Sequence, residues 1–247
     1  MIVAVVLVAV GVSVLAHVAP FPFLLDGIHG RSTIWRMPVA TGVGKTIYLT
    51  FDDGPNPAAT PALLDVLKEK NVRATFFLID DYVNERTAPI VRRIFEEGHS
   101  VGLHTGRRWL LLRSPSYIEK TLQSAATRIE RLTSHRPCPL FRPHAGWRSS
   151  AMIIGARRAG YTVTGWSWMS WDWVGFRKRT GDRVASHLLA HAAPGKIIVI
   201  HDGHHRNPMS DRSYAIDATR KVIDGLTAKG YTFGTLCQAQ NCSPGIS

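Results

Sequence analysis

Thr46-Ile47-Tyr48-Leu49-Thr50-Phe51-Asp52-Asp53-Gly54-Pro55 is the stretch from which the rest of the chain is read. Its first five residues are β-branched, aromatic or aliphatic, which suits a buried strand, and the run breaks on two carboxylates followed by two turn formers. Adjacent residues at a strand end point in different directions. One carboxylate can therefore serve a metal while its neighbour faces a reacting water. An Asp-Asp-Gly-Pro surface turn is the alternative that turn chemistry allows.

Working outward, short apolar runs recur at Ala74–Ile79, Ser100–Leu103, Leu140–Phe141, Thr162–Trp166, Lys196–Ile200 and Tyr231–Leu236. Segments with helical spacing separate them. Thr60-Pro61 reads as an N-cap with proline at the first helical position, leading into Leu63, Leu64 and Leu67. Ser116 and Glu119 read as a capping box, after which Ile118, Leu122, Ala125, Ile129 and Leu132 recur at four- and three-residue steps. Strands divided by helices of this length imply a parallel sheet, because a parallel strand is regained only through a long crossover. The expected fold is α/β, a (β/α) barrel of about seven parallel strands, in which chemistry gathers where strands end.

Polar residues do gather there. His104-Thr105 follows the third strand, and Phe141-Arg142-Pro143-His144-Ala145-Gly146-Trp147 surrounds the end of the fourth. The fifth runs into Trp168-Met169-Ser170-Trp171-Asp172-Trp173, and the sixth ends in Ile200-His201-Asp202-Gly203. Any one of these is compatible with a structural role; their shared placement is what points to a site. The set answers the needs of amide hydrolysis: an activated water, a polarised carbonyl and a proton for the departing nitrogen. A divalent ion can supply the first two.

With these motifs in this order, Lys45 to Leu236 resembles the polysaccharide deacetylases of carbohydrate esterase family four, whose members act on chitin, chitooligosaccharide and peptidoglycan and fold as distorted (β/α) barrels. Thr50-Phe51-Asp52-Asp53-Gly54-Pro55 matches the family's first motif without change. The resemblance implies Asp52 as catalytic base, Asp53 and His104 as metal ligands, and Arg142 as the group orienting the base. It further implies Asp172 as the acid holding that arginine, Trp173 as a wall of the substrate site, His201 as the acid that protonates the leaving amine, and an oxyanion contact from the backbone at Ala145. The implied cofactor is a divalent metal, Zn²⁺ or alternatively Co²⁺ or Ni²⁺, and the implied partner is an amino-sugar polysaccharide.

One position departs from the family. Its second metal histidine falls on Arg108, and a guanidinium has no lone pair to give a metal. Three readings stay open. His144, standing where the family has the second proline of Arg-Pro-Pro-Tyr-Gly, completes the shell, or His204 or His205 does so. Alternatively the metal is held by Asp53, His104, waters and substrate. In the third reading, catalysis is lost and a carbohydrate-binding fold remains. Survival of Asp52, Arg142, Asp172, Trp173 and His201 favours an active enzyme. Its rivals are a hydrolase of a cyclic amide or ureide on the same scaffold and a non-catalytic cell-wall binding protein.

The whole chain accommodates this. With 247 residues, 45% of them apolar and 19% charged, it can bury a sizeable core and is not of disordered composition. The net charge of +12 favours anionic surroundings, but no nucleic-acid module is recognisable and no nucleic-acid partner is expected. Residues 1–25 carry no charged side chain and read as a signal peptide or membrane anchor; residues 26–44 read as a linker and 45–240 as the catalytic domain. The extracellular substrate implied by the resemblance places that domain outside the cytoplasm, although Arg31 and Arg36 follow the apolar run rather than precede it. Cys138, Cys237 and Cys242 form no CxxC pair, and a Cys237–Cys242 disulfide or three free thiols are both compatible with the spacing. Oligomeric state has no signature in the sequence.

Overall fold

A computed structural model describes residues 2–17, 32–39, 44–170 and 180–239. After an apolar helix α1 (Ile2–His17) the elements run β1 (Thr33–Ile34), β2 (Lys45–Gly54), α2 (Thr60–Glu69), β3 (Thr75–Ile79), α3 (Ala88–Glu96), β4 (Ser100–His104), α4 (Pro115–Thr133) and β5 (Leu140–Arg142). They continue with α5 (Ser150–Arg158), β6 (Thr162–Thr164), β7 (Trp168–Met169), α6 (Gly181–Ala190), β8 (Ile197–His201), α7 (Ser213–Ala228), β9 (Tyr231–Phe233) and α8 (Leu236–Ala239).

The strands form a curled parallel sheet in the order β1-β6-β5-β4-β3-β2-β8-β7, with β9 pairing the start of β2. Eight strands lie on this path and β9 makes nine, where about seven were expected. The two extra ones, β1 and β7, are two residues long, too short to show a period. β1 falls inside the stretch 26–44 read as a linker and pairs in parallel with β6. β6 and β7 are consecutive in the chain, so Gly165–Ser167 carries one segment from the β5 side of the sheet to β8.

Alternation along the strands divides the core. Ile47, Leu49 and Phe51 of β2, Val101 and Leu103 of β4, Phe141 of β5 and Ile198 and Ile200 of β8 pack with Leu63, Leu67, Ile118, Leu122, Val222 and Leu226 of the helices. Tyr48, Phe77, Leu140, Ile197 and Val199 pack with Trp166 and Met169 in a second cluster on the opposite, inner face. Because side chains alternate every residue, the inner row of each strand continues to one polar end group: Asp52 after Tyr48 and Thr50, Arg142 after Leu140, His201 after Ile197 and Val199. The same alternation puts His104 opposite Val101 and Leu103.

Two caps differ from the sequence reading. α4 starts at Pro115, with Ser114 as N-cap accepting from the Tyr117 amide, because proline at the first position has no N–H to leave unpaired and its φ is already helical. α2 has Ala59 as N-cap, and Thr60 spends its hydroxyl on a longer-range partner described below. The disulfide also differs: Cys138 pairs with Cys237, 99 residues away and within the inner cluster, while Cys242 lies outside the described residues.

Candidate active site

Sheet register brings the end groups together. Asp52 is the cross-strand partner of His201, and His104 that of Arg142. Asp52 is 2% exposed and Arg142 fully buried. Arg142 donates from Nη1 to Asp52 Oδ1 at 2.6 Å and to Thr50 Oγ1 at 2.8 Å, and from Nη2 to the Gly165 carbonyl at 2.9 Å. Its guanidinium also lies 3.9 Å from the centre of the Phe77 ring. The guanidinium is thus clamped on three sides, and it fixes one oxygen of the Asp52 carboxylate. Asp52 Oδ2 carries none of the hydrogen bonds found among the described residues.

Asp53 should by alternation face the helices. A β-bulge between Asp52 and Gly54 breaks the register with β3, and Asp53 takes the left-handed conformation at φ 70°. A bulge re-aims a side chain, and here it places both carboxylates at the mouth of the curled sheet. The sequence Asp-Gly-Pro signals a turn but not this geometry, so the carboxylates are separated by a device the sequence reading did not contain.

His104 is buried against Asp53, with Nε2 3.2 Å from Asp53 Oδ1. Its Nδ1 lies 2.6 Å from the Arg142 carbonyl, which can only accept, so Nδ1 carries the proton. In the neutral ring Nε2 then offers a lone pair toward a carboxylate oxygen that is buried and has no hydrogen-bond donor. Two acceptors at this distance require a positive charge between them, either a proton or a metal cation. With a proton, burial opposes the charge on His104 but the hydrogen bond and charges of Asp53 and Asp52 outweigh it, so its pKa lies above the ordinary value. Burial likewise pushes the Asp53 carboxyl up, and His104, His201 and His144 overcome this and hold it far below the usual range.

His144 completes the arrangement. Among the described residues, Asp53, His104 and His144 each offer a ligand atom such that all three lie within 4.8 Å of one another. The donor set, one carboxylate and two imidazoles, suits a divalent transition ion. The backbone carbonyl behind His104 is the partner that orients a ligating ring. His205 stands edge-on against His144 at 4.7 Å between ring centres, and His204 stacks on His205 at 4.6 Å. Neither belongs to the three-atom group. Arg108 opens a short 3₁₀ turn, Arg108–Leu112, beyond β4.

Ala145 follows His144 in the left-handed region, at φ 51° and ψ 22°. An alanine held there is strained, and such strain persists only where the surrounding structure over-determines it. Its amide makes none of the hydrogen bonds described. Asp172 and Trp173 lie outside the described residues. His99, immediately before β4, accepts from the Ala74 amide at 3.1 Å, and burial pulls its pKa down to about 4.

Two supports of the site went unread in the sequence. Asp202, fully buried, accepts from Thr60 Oγ1 at 2.5 Å, and that hydroxyl accepts in turn from the Asn56 amide. Burial raises the Asp202 carboxyl to about 7, with Asp53 and Asp52 adding to the rise and Thr60 opposing it. Gly203 is required sterically: a Cβ there would stand 1.8 Å from the Asp53 carbonyl oxygen. Their adjacency to His201 was the available signal.

A family model described as polysaccharide deacetylase matches residues 40–164. A peptidoglycan-N-acetylglucosamine deacetylase from Bacillus cereus is 32% identical over 207 residues, covering 83% of this chain and 91% of that protein. A chitooligosaccharide deacetylase from a Bradyrhizobium species is 36% identical over 206 residues, covering 78% and 90%. The fold is similar to a crystal structure of a peptidoglycan N-acetylglucosamine deacetylase bound to 4-naphthalen-1-yl-N-oxidanyl-benzamide, with a TM-score of 0.75 and 28% identity over 90% of this chain and 99% of that one.

Proposed function

Since this chain belongs to the polysaccharide deacetylase family and is a deacetylase, we propose that it hydrolyses N-acetyl groups on an N-acetylglucosamine-type polymer, chitooligosaccharide or peptidoglycan. The observation that carries this reading is a buried Asp52–Arg142 pair beside an Asp53-His104-His144 ligand group at one end of one sheet.

Asp53, His104 and His144 would hold a divalent ion, Zn²⁺ or else Co²⁺ or Ni²⁺. When bound, such an ion lowers the pKa of a water molecule and polarises a carbonyl. Asp52 takes the proton of the attacking water: Arg142 holds Oδ1, so Oδ2 is the oxygen left to receive it. His201, across the sheet from Asp52, gives a proton to the departing nitrogen. The Ala145 amide donates to the oxygen on which charge develops. Asp172 is assigned to Arg142, whose buried Nε has no partner among the described residues, and Trp173 to the wall of the sugar site.

Acetate release from chitooligosaccharide and from peptidoglycan, with each metal supplied and Asp52→Asn in parallel, tests this. Release by the native protein alone is expected. No release under any of these conditions, with polymer binding retained, would make the chain a carbohydrate-binding relative.

The curled sheet is read as a distorted barrel, and residues 45–240 together with β1 as one catalytic domain outside the cytoplasm, with 1–25 as signal or anchor. The buried Cys138–Cys237 pair supports an oxidising compartment. No helix among the described residues is long and apolar enough to cross a membrane; α1, at 16 residues and about 1.5 Å each, falls short of the ~30 Å hydrocarbon core. A phosphatase reporter fused to the C-terminus, active only outside the cytoplasm, distinguishes the two sides.

A further inference from the structure

A cavity of about 400 Å³ opens beside the ligand group, within the roughly 300–1,000 Å³ usual for small-molecule sites. Arg107, Arg113 and Arg206 line it together with Trp109, Tyr117 and His205, and no carboxylate among the described residues does. His205 belongs also to the site already described, since its ring packs on His144. The cavity is therefore the next room along from the reacting group.

Its walls have two chemistries. Trp109 is 72% exposed and Tyr117 44%, although large aromatic rings are ordinarily covered. A flat exposed ring matches the apolar face of a pyranose, where the C–H bonds lie. The Arg113 guanidinium stands 5.3 Å from the centre of the Tyr117 ring, so cation and platform are one unit. Arg107 pairs with Asp81 at 3.3 Å, a carboxylate that Arg128 also approaches at 3.7 Å. Arg113 and Arg206 take part in no ion pair among the described residues. A guanidinium stays charged at every relevant pH and grips a carboxylate through two parallel N–H donors.

We propose that this cavity is a subsite for a carboxylate-bearing sugar neighbouring the N-acetylhexosamine that is deacetylated. The inference rests on the deacetylase reading and deepens it, because it selects a glycan whose alternate sugars carry a lactyl carboxylate over a neutral chitin chain. The ring of the acidic sugar lies on Trp109 and Tyr117, and its carboxylate meets Arg113 and Arg206.

The test compares a glycan strand of alternating N-acetylglucosamine and N-acetylmuramic acid with a chitooligosaccharide of equal length, using the full chain with Zn²⁺. The native protein should prefer the acidic strand in kcat/KM. Arg113→Gln/Arg206→Gln should lower that preference roughly 10- to 100-fold, the loss expected for one or two charge-assisted hydrogen bonds, and mainly through KM. Converting the lactyl carboxylates to amides should have the same effect on the native protein. Binding of both strands to the Asp52→Asn protein, followed by calorimetry, reads the subsite without turnover. If no acetate is released but the acidic strand binds more tightly and loses that advantage in the arginine variant, the deacetylase reading fails and the subsite stands. Equal preference in native and variant proteins, or equal losses on both strands, overturns the subsite and leaves the deacetylase reading intact.

Discussion

Replacing Arg142 with methionine removes a cation that is fully buried and leaves its length of side chain largely filled. Asp52, 2% exposed, then loses the Nη1 donor at 2.6 Å and becomes a buried charge without compensation, which costs about 3–5 kcal/mol. The Gly165 carbonyl loses its 2.9 Å donor, adding about 1 kcal/mol. Thr50 is spared, because its hydroxyl still donates to the Ile198 carbonyl at 2.9 Å. The expected destabilisation is about 4–6 kcal/mol, or roughly 10–20 °C in melting temperature for a domain of this size. Asp52→Asn combined with Arg142→Met should recover about 2–3 kcal/mol, since the double variant buries no lone charge. Thermal and urea unfolding of the four proteins, followed by circular dichroism with a chelator present so that no ion adds binding energy, gives the cycle. A loss below about 1 kcal/mol for Arg142→Met, or simple additivity of the two changes, would refute a structural pairing of Asp52 with Arg142.

Three further outcomes follow from the geometry. Elemental analysis should find a divalent ion retained by the native protein and by His99→Asn but lost from His144→Ala; equal content in all three discards His144 as a ligand. Gly203→Ala should keep the fold yet lower kcat/KM about 100-fold, because its Cβ displaces the Asp53 carbonyl and misplacement of about 1 Å is enough for such a loss; an unimpaired variant would show the bulge to be irrelevant. His99 has a folded pKa of about 4 against an ordinary 6.5, so the unfolded chain takes up its proton first as pH falls. Its contribution is complete above pH 6.5 and declines toward pH 4 by up to about 3 kcal/mol, so the urea midpoint should fall over that window in the native protein and fall less in His99→Asn.

Much of the site was legible along the chain because a barrel-like sheet presents strand ends together, and strand ends are local. Asp52, His104, Arg142 and His201 each close an apolar run, and the two-residue period assigns them one face. The third histidine was legible only in part. His144 stands where the family motif has a proline, but its grouping with Asp53 and His104, with His204 and His205 stacked beyond, comes from the approach of the β5 and β8 loops. The aromatic and arginine residues after β4 carry no local sign of a cavity, because His205, about 90 residues later in the chain, closes it with them.

From the sequence by itself came the parallel α/β architecture and the polar residues that close its strands, which depend on periodicity and on what immediately follows an apolar run, and the family, which rests on the resemblance of its motifs. Tertiary structure decided the bulge that turns Asp53 toward the mouth of the sheet, the Thr60–Asp202 support beneath it, the Cys138–Cys237 pairing and the two short strands β1 and β7. These depend on contacts between residues tens to hundreds of positions apart, and such contacts leave no period in the chain because their energy comes from packing against partners that local sequence does not contain.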